Sequence, residues 1–346
     1  EAFIQVKGGE HNIILKDAVI ELADNQDYDV HVRAFALDPD VKVNLKLEGN
    51  NKLKSAGSHA AVHVPSSATL NISSESKAKL EAISNGTNSA GIGGDDTEAD
   101  CGDITIDVTK DSEIIAQGGK YAAGIGSGGH GTAGTIEIHN GIVSATGGMG
   151  GVGIGSDPER SDSVNNKIII SGGDVRAYGG LISENSTDRK SGISCKTLDS
   201  DKKSVTLTST NGIYGNTGGF NGIVWGYDNI LDKDKDKYLH AIVYGNAILR
   251  QSIEKNYRID VPRNTTLTCI PPITNNGIIS GNGILIDSDK LTPGPDVDED
   301  LGIEIPISKR KCDLEKDYIS LKCPYTCDYT GTDMAGALID KNIKKS

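Results

Sequence analysis

Two short elements in this 346-residue chain carry side chains able to do chemistry on a substrate: the pair Asp95-Asp96 and, further along, Gly129-His130-Gly131. Two carboxylates can supply the acid and the base of glycosidic cleavage, and their separation decides between retention and inversion. Both elements follow a Gly-Ile-Gly string within a glycine-rich stretch, so the competing reading is an ordinary solvated turn. Asp95, Asp96 and His130 are the candidate catalytic residues.

A second candidate site is aromatic. Tyr214, Phe220, Trp225 and Tyr227 fall close together in a chain with only three Phe and one Trp. Flat rings suit the apolar faces of sugars, which makes the cluster a candidate glycan platform. Filling a core or covering the end of a stack is the bland alternative. Calcium is the one ion to consider: Asp232, Asp234 and Asp236 alternate along one run, and Asp296, Asp298, Glu299 and Asp300 form another. Oxygen ligands at alternate positions can converge on one cation, but interleaved lysines oppose it and favour a solvated loop. No other cofactor is expected.

Cysteines stand at 101, 195, 269, 312, 323 and 327. The spacing of Cys312, Cys323 and Cys327 fits a disulfide staple better than zinc, because the last histidine, His240, lies long before them. The pairing stays open. Asn71, Asn85, Asn185 and Asn264 begin Asn-X-Ser/Thr sequons, which carry meaning only where exported proteins are glycosylated.

The elements that must position these residues are set by a repeat. Ala90-Gly91-Ile92-Gly93 returns as Ala123-Gly124-Ile125-Gly126, as Val152-Gly153-Ile154-Gly155 and, more loosely, as Ser191-Gly192-Ile193-Ser194, with a degenerate copy at Ala61-Val62. A second ladder runs through Leu70-Asn71-Ile72, Ile104-Thr105-Ile106, Ile136-Glu137-Ile138, Ile168-Ile169-Ile170 and Val205-Thr206-Leu207, at spacings of 34, 32, 32 and 37 residues. A third passes through Leu80/Ala82, Ile114/Ala116, Val143/Ala145 and Val175/Ala177 and is usually closed by a glycine pair. Alternating apolar and polar residues mark strands with one buried face. Three strands cannot close a core alone, but stacked triangular coils can. The fold expected is therefore all-β: a right-handed parallel β-helix of roughly 30-residue, three-strand coils.

Its expected organisation is capping strands over 1–46, regular coils over 47–228, less regular coils over 229–291, and a linker with a cysteine-containing segment over 292–346. A propeller is disfavoured because blade-length repeats and Trp-Asp signals are absent.

The combination of Gly-Ile-Gly, Gly-Thr-Ile-x-Ile (Gly134 to Ile138) and Val-x-Ala-x-Gly-Gly resembles the β-helical repeats of bacterial surface proteins, adhesin-like and of the pectin-lyase-like superfold. That resemblance implies adhesion or glycan binding at a cell surface. The Asp pair and Gly-His-Gly also resemble marks of polygalacturonase-type hydrolases, although the Asn-Thr-Asp and Arg-Ile-Lys elements of that family are absent.

A net charge of −13 and no basic patch disfavour nucleic acid as a partner. No run approaches the length of a membrane-spanning helix, and any leader ahead of Glu1 is expected to have been removed. The leading expectation is a secreted or cell-surface protein that binds glycan or a surface protein without catalysis. A polysaccharide lyase or hydrolase, and a stalk or fibre built from copies of the chain, are the alternatives.

Overall fold

The computed structural model describes residues 3–22, 33–157, 166–200, 205–226, 239–286, 291–293, 303–304 and 310–311. Among these residues there is no helix, and so none long and apolar enough to cross a membrane. The strands stack in parallel as a β-solenoid, as the repeat predicts. One ladder runs Ile4, Phe35, Val62, Ile92, Ile125, Ile154, Ile193, Ile213, each the register partner of the next. A second runs Val43, Leu70, Ile104, Ile136, Ile168, Leu198. The third pairs Leu53 with Ala82, Ala116, Ala145, Ala177 and Ser209.

Beside the Ala row of this ladder, Leu80, Ile114, Val143, Val175 and Leu207 form a neighbouring row of larger side chains. The apolar side chains of these ladders form one continuous cluster, with Ile4 and Ile213 only partly buried against it, and Ser209 is buried as well. Each buried large aliphatic contributes about 1.5–3 kcal/mol, so the ladders are the main source of stability.

Glycine recurs because the coils leave no room for a Cβ. At Gly93 the backbone has φ +138° and a Cβ would lie 1.8 Å from the carbonyl oxygen of Gly126; at Gly126 the values are +135° and 2.2 Å from that of Gly155. An L side chain meets both a disfavoured backbone region and a clash there. The same ladder holds His63 at one end and Ser194 at the other, and neither has a positive φ. The motif therefore fades where the local backbone no longer demands it.

One expectation is revised in detail. Val205-Thr206-Leu207 does not extend the second ladder: Ile168 pairs with Leu198, and Leu207 pairs with Val175 in the third. The cause is the unbroken strand Ile193–Asp199, which runs from the first ladder straight into the second without the usual glycine-rich turn. The coil is shortened, and an alternating apolar triplet looks the same on either wall. At the N-terminal end of the stack, Ile4, Ile13 and Ile20 pair in register with Phe35, Leu45 and Leu53.

Among the described strands, one pair is antiparallel. Gly222–Trp225 pairs antiparallel with Leu239–Tyr244, after which pairing is parallel again through Tyr257–Val261, Ile278–Gly281 and Ile303–Glu304. Val224 belongs to the first core, whereas Ile223 and Trp225 belong to a second core with Ala241, Val243, Ile259 and Leu267. The second stack uses tighter coils: Leu267 pairs with Leu285 and Ile273 with Leu291. Cys101, Cys195 and Cys269 are buried in these cores, and Cys101 and Cys195 are free thiols. No disulfide exists among the described residues, and Cys312, Cys323 and Cys327 lie outside them.

Candidate functional site

Phe35, Val62 and Ile92 are successive rungs, so the residues flanking them come together although they are far apart in sequence. Arg33 enters the first of these strands, His59 and His63 flank the second, and Asp95 follows the third. Neighbouring side chains on a strand point to opposite faces. Val62 accordingly joins the aliphatic core while His63, its neighbour, points away from it beneath the turn that carries Asp95.

The Asp95 carboxylate is the centre of the cluster and has no exposed side-chain surface. Its Oδ2 accepts from Arg33 Nε at 2.6 Å and lies 3.3 Å from His59 Nδ1 and 3.6 Å from His63 Nδ1. Its Oδ1 accepts from Arg33 Nη2 at 3.2 Å, Thr97 Oγ1 at 2.7 Å, Thr97 N at 3.0 Å and Glu98 N at 3.2 Å. Arg33 also donates to Thr97 Oγ1. His63 Nε2 is 4.0 Å from Glu98 Oε2, and Glu98 Oε1 accepts from the Ser66 amide at 3.2 Å.

Burial alone would raise the Asp95 carboxyl, but the His59 and Arg33 hydrogen bonds, with the charges of His63 and Arg33, hold it far below the usual carboxylate range. For His63 burial is the largest influence and pushes the imidazole down, against the attraction of Asp95 and in concert with Arg33. In this arrangement both Asp95 oxygens are engaged by protein donors and the side chain has no exposed surface to offer a substrate. Its work is to fasten three coils together.

Asp96 and His130 face the other way. Both are exposed, and both border Asn88: Asn88 Nδ2 donates to Asp96 Oδ1 at 2.7 Å, and the Gly129 amide donates to the Asn88 carbonyl at 3.0 Å. His130 has φ +70° in this turn. Asp95, Asp96 and His130 thus divide into one inward carboxylate and two outward groups, rather than one catalytic constellation.

The aromatic candidates divide too. Tyr214 is 54% exposed, but Phe220 and Trp225 are buried. Phe220 meets the ring of Tyr244 edge-on at 6.0 Å, and Trp225 packs on Tyr257 at 5.0 Å. These two fill the junction between the stacks and offer no open ring face to a sugar. Tyr227, Asp232, Asp234, Asp236 and the acids at 296, 298, 299 and 300 lie outside the described residues. Among the described residues no three His, Cys, Asp or Glu side chains converge to hold a metal ion.

Arg33, His59, His63 and Glu98 escape a reading of the sequence. Their signal is positional: His59 and His63 bracket the degenerate repeat copy, and Arg33 precedes the rung residue Phe35 by two positions. No protein-family model matches the chain, and neither a curated protein nor a solved structure is significantly similar to it.

Proposed function

We propose that the chain is a non-catalytic, secreted or cell-surface scaffold that holds an extended glycan along the outer face of its third ladder. The observation that carries this reading is a set of outward rows in register. Gln117, Thr146 and Tyr178 follow one another across successive coils, beside Ser144, Arg176 and Thr208. Strands in a sheet repeat at roughly 4.8 Å, so these rows present hydroxyl, amide, guanidinium and phenol groups at a regular pitch. A polymer with a regular run of hydroxyls can match such a row at several points, and the Tyr178 ring adds a flat apolar face. The enclosure of Asp95 argues against the hydrolase alternative.

Retention of the protein on a panel of insoluble host and cell-wall polysaccharides tests the proposal. Binding to at least one glycan is expected, with Tyr178→Ala and Arg176→Ala each weakening it about tenfold, equivalent to about 1.4 kcal/mol. Absence of binding across the panel, or binding that both variants leave intact, overturns it. Release of reducing ends or unsaturated products would favour the enzyme instead.

A further inference from the structure

We propose that the Arg33–His59–His63–Asp95–Glu98 cluster is an acid-sensitive clasp, in which protonation of His63 opens the turn at residues 94–99 away from Arg33. This inference is independent of glycan binding.

The geometry supplies the mechanism. His63 is 4% exposed, and its Nδ1 makes no hydrogen bond, with Asp95 Oδ2 lying 3.6 Å away. A neutral imidazole tolerates one nitrogen without a donor, whereas an imidazolium carries an N–H on both. Asp95 Oδ2 already receives Arg33 Nε and faces His59 Nδ1. A charged His63 therefore directs its Nδ1 proton at an oxygen that is already engaged and, at 3.6 Å, too far for a hydrogen bond unless the turn shifts or water enters. Among the described residues, the turn that carries Asp95, Thr97 and Glu98 comes against His63 through Asp95 and Glu98, and Arg33 ties that turn down through Asp95 and Thr97. The charged and titratable groups facing His63 are Arg33, His59, Asp95 and Glu98. Arg33 repels the added proton, Asp95 and Glu98 attract it, and burial opposes it most.

The sign follows. Because His63 titrates lower in the fold than in an open chain, its neutral form stabilises the closed turn above the ordinary histidine value. That stability is lost as the pH falls through the folded value. Asp95, which stays ionised in the fold, does not rescue it over this interval. Opening exposes the Asp95 carboxylate, which the closed turn seals, and frees the partly exposed Arg33 guanidinium.

Hydrogen exchange read by mass spectrometry on the full chain, corrected for intrinsic rates, compares about pH 7.5 with about pH 5.5, the interval in which histidine changes charge. Peptides covering 33–37 and 94–99 should lose about tenfold in protection at the lower pH, while the second-stack strand Tyr257–Val261 does not change. In His63→Gln, which is neutral at both pH values, the response of the first two peptides should vanish. Equal protection at both pH values in the parent protein, or an undiminished response in His63→Gln, overturns the proposal. Should that variant fail to fold, titration of the His63 ring by NMR in the parent protein decides: a midpoint at or above the ordinary histidine value refutes the clasp.

Discussion

Replacing Arg33 with Ala leaves the Asp95 carboxylate buried without the guanidinium that pairs with it. The side chain of Arg33 is 23% exposed and that of Asp95 is not exposed at all, so solvent screens the pair little. Two guanidinium bonds are lost, at 2.6 and 3.2 Å, together with the contact to Thr97. Removing one partner of a buried ion pair costs about 3–5 kcal/mol, because the remaining charge is left desolvated. The His59 contact and the Thr97 and Glu98 amides still hold the carboxylate, which places the expected loss near the lower end, about 3 kcal/mol. In a stacked-coil protein the damage should be local, since each coil touches only its neighbours.

The assay is a double-mutant cycle with Arg33→Ala and Asp95→Asn. It is read by urea unfolding and by limited proteolysis within the first coils. Asp95→Asn removes the charge but keeps the shape, so the double variant should be less destabilised than the sum of the singles by at least about 1.5 kcal/mol. The acid limb adds a sign. Asp95 contributes stability that is present above its unfolded value near pH 4 and lost as the pH falls toward its much lower folded value. Asp95→Asn should flatten that limb. Additive single effects within about 0.5 kcal/mol, or an Arg33→Ala loss below about 1 kcal/mol, would refute the argument that the clasp is a desolvated ion pair.

Gly126→Ala should destabilise the first stack by about 2–3 kcal/mol, since the new Cβ meets the Gly155 carbonyl oxygen at 2.2 Å with φ at +135°; a urea midpoint equal to that of the parent would contradict the stacking geometry. Burial pushes the Cys195 thiol up to about 12. The native protein should therefore resist alkylation at Cys195 near pH 8 and become reactive only on unfolding, which mass spectrometry of labelled peptides can check. Rapid native labelling would place that side chain elsewhere.

What the sequence discloses about this fold depends on whether neighbours in space repeat the same residues. Gly91-Ile92-Gly93 and its copies are legible because a close approach and a positive φ both demand glycine, so the residue type reports the geometry. Val205 misleads because its triplet obeys the same alternation on either of two walls, and only the uninterrupted strand Ile193–Asp199 decides between them. The reversal after Trp225 leaves no mark, because a strand's burial pattern does not depend on the direction of its partner. At the cluster only Asp95 stands out in sequence, beside a second acid that turns out to face solvent. Its partners lie 62, 36 and 32 residues away, one per coil or two, and no local motif links them.

The strand Gly222–Trp225 is a party wall. One of its faces closes the first apolar compartment through Val224, and the other furnishes the second through Ile223 and Trp225. Cutting the chain after residue 226 would strip a large indole and an isoleucine of their cover, turning an interior surface into a sticky plate at the end of the first stack. Starting the chain at Leu239 would likewise deprive the second compartment of its largest side chain. The two halves are therefore not separable modules, and either one made alone should associate with itself or with the missing half supplied in trans.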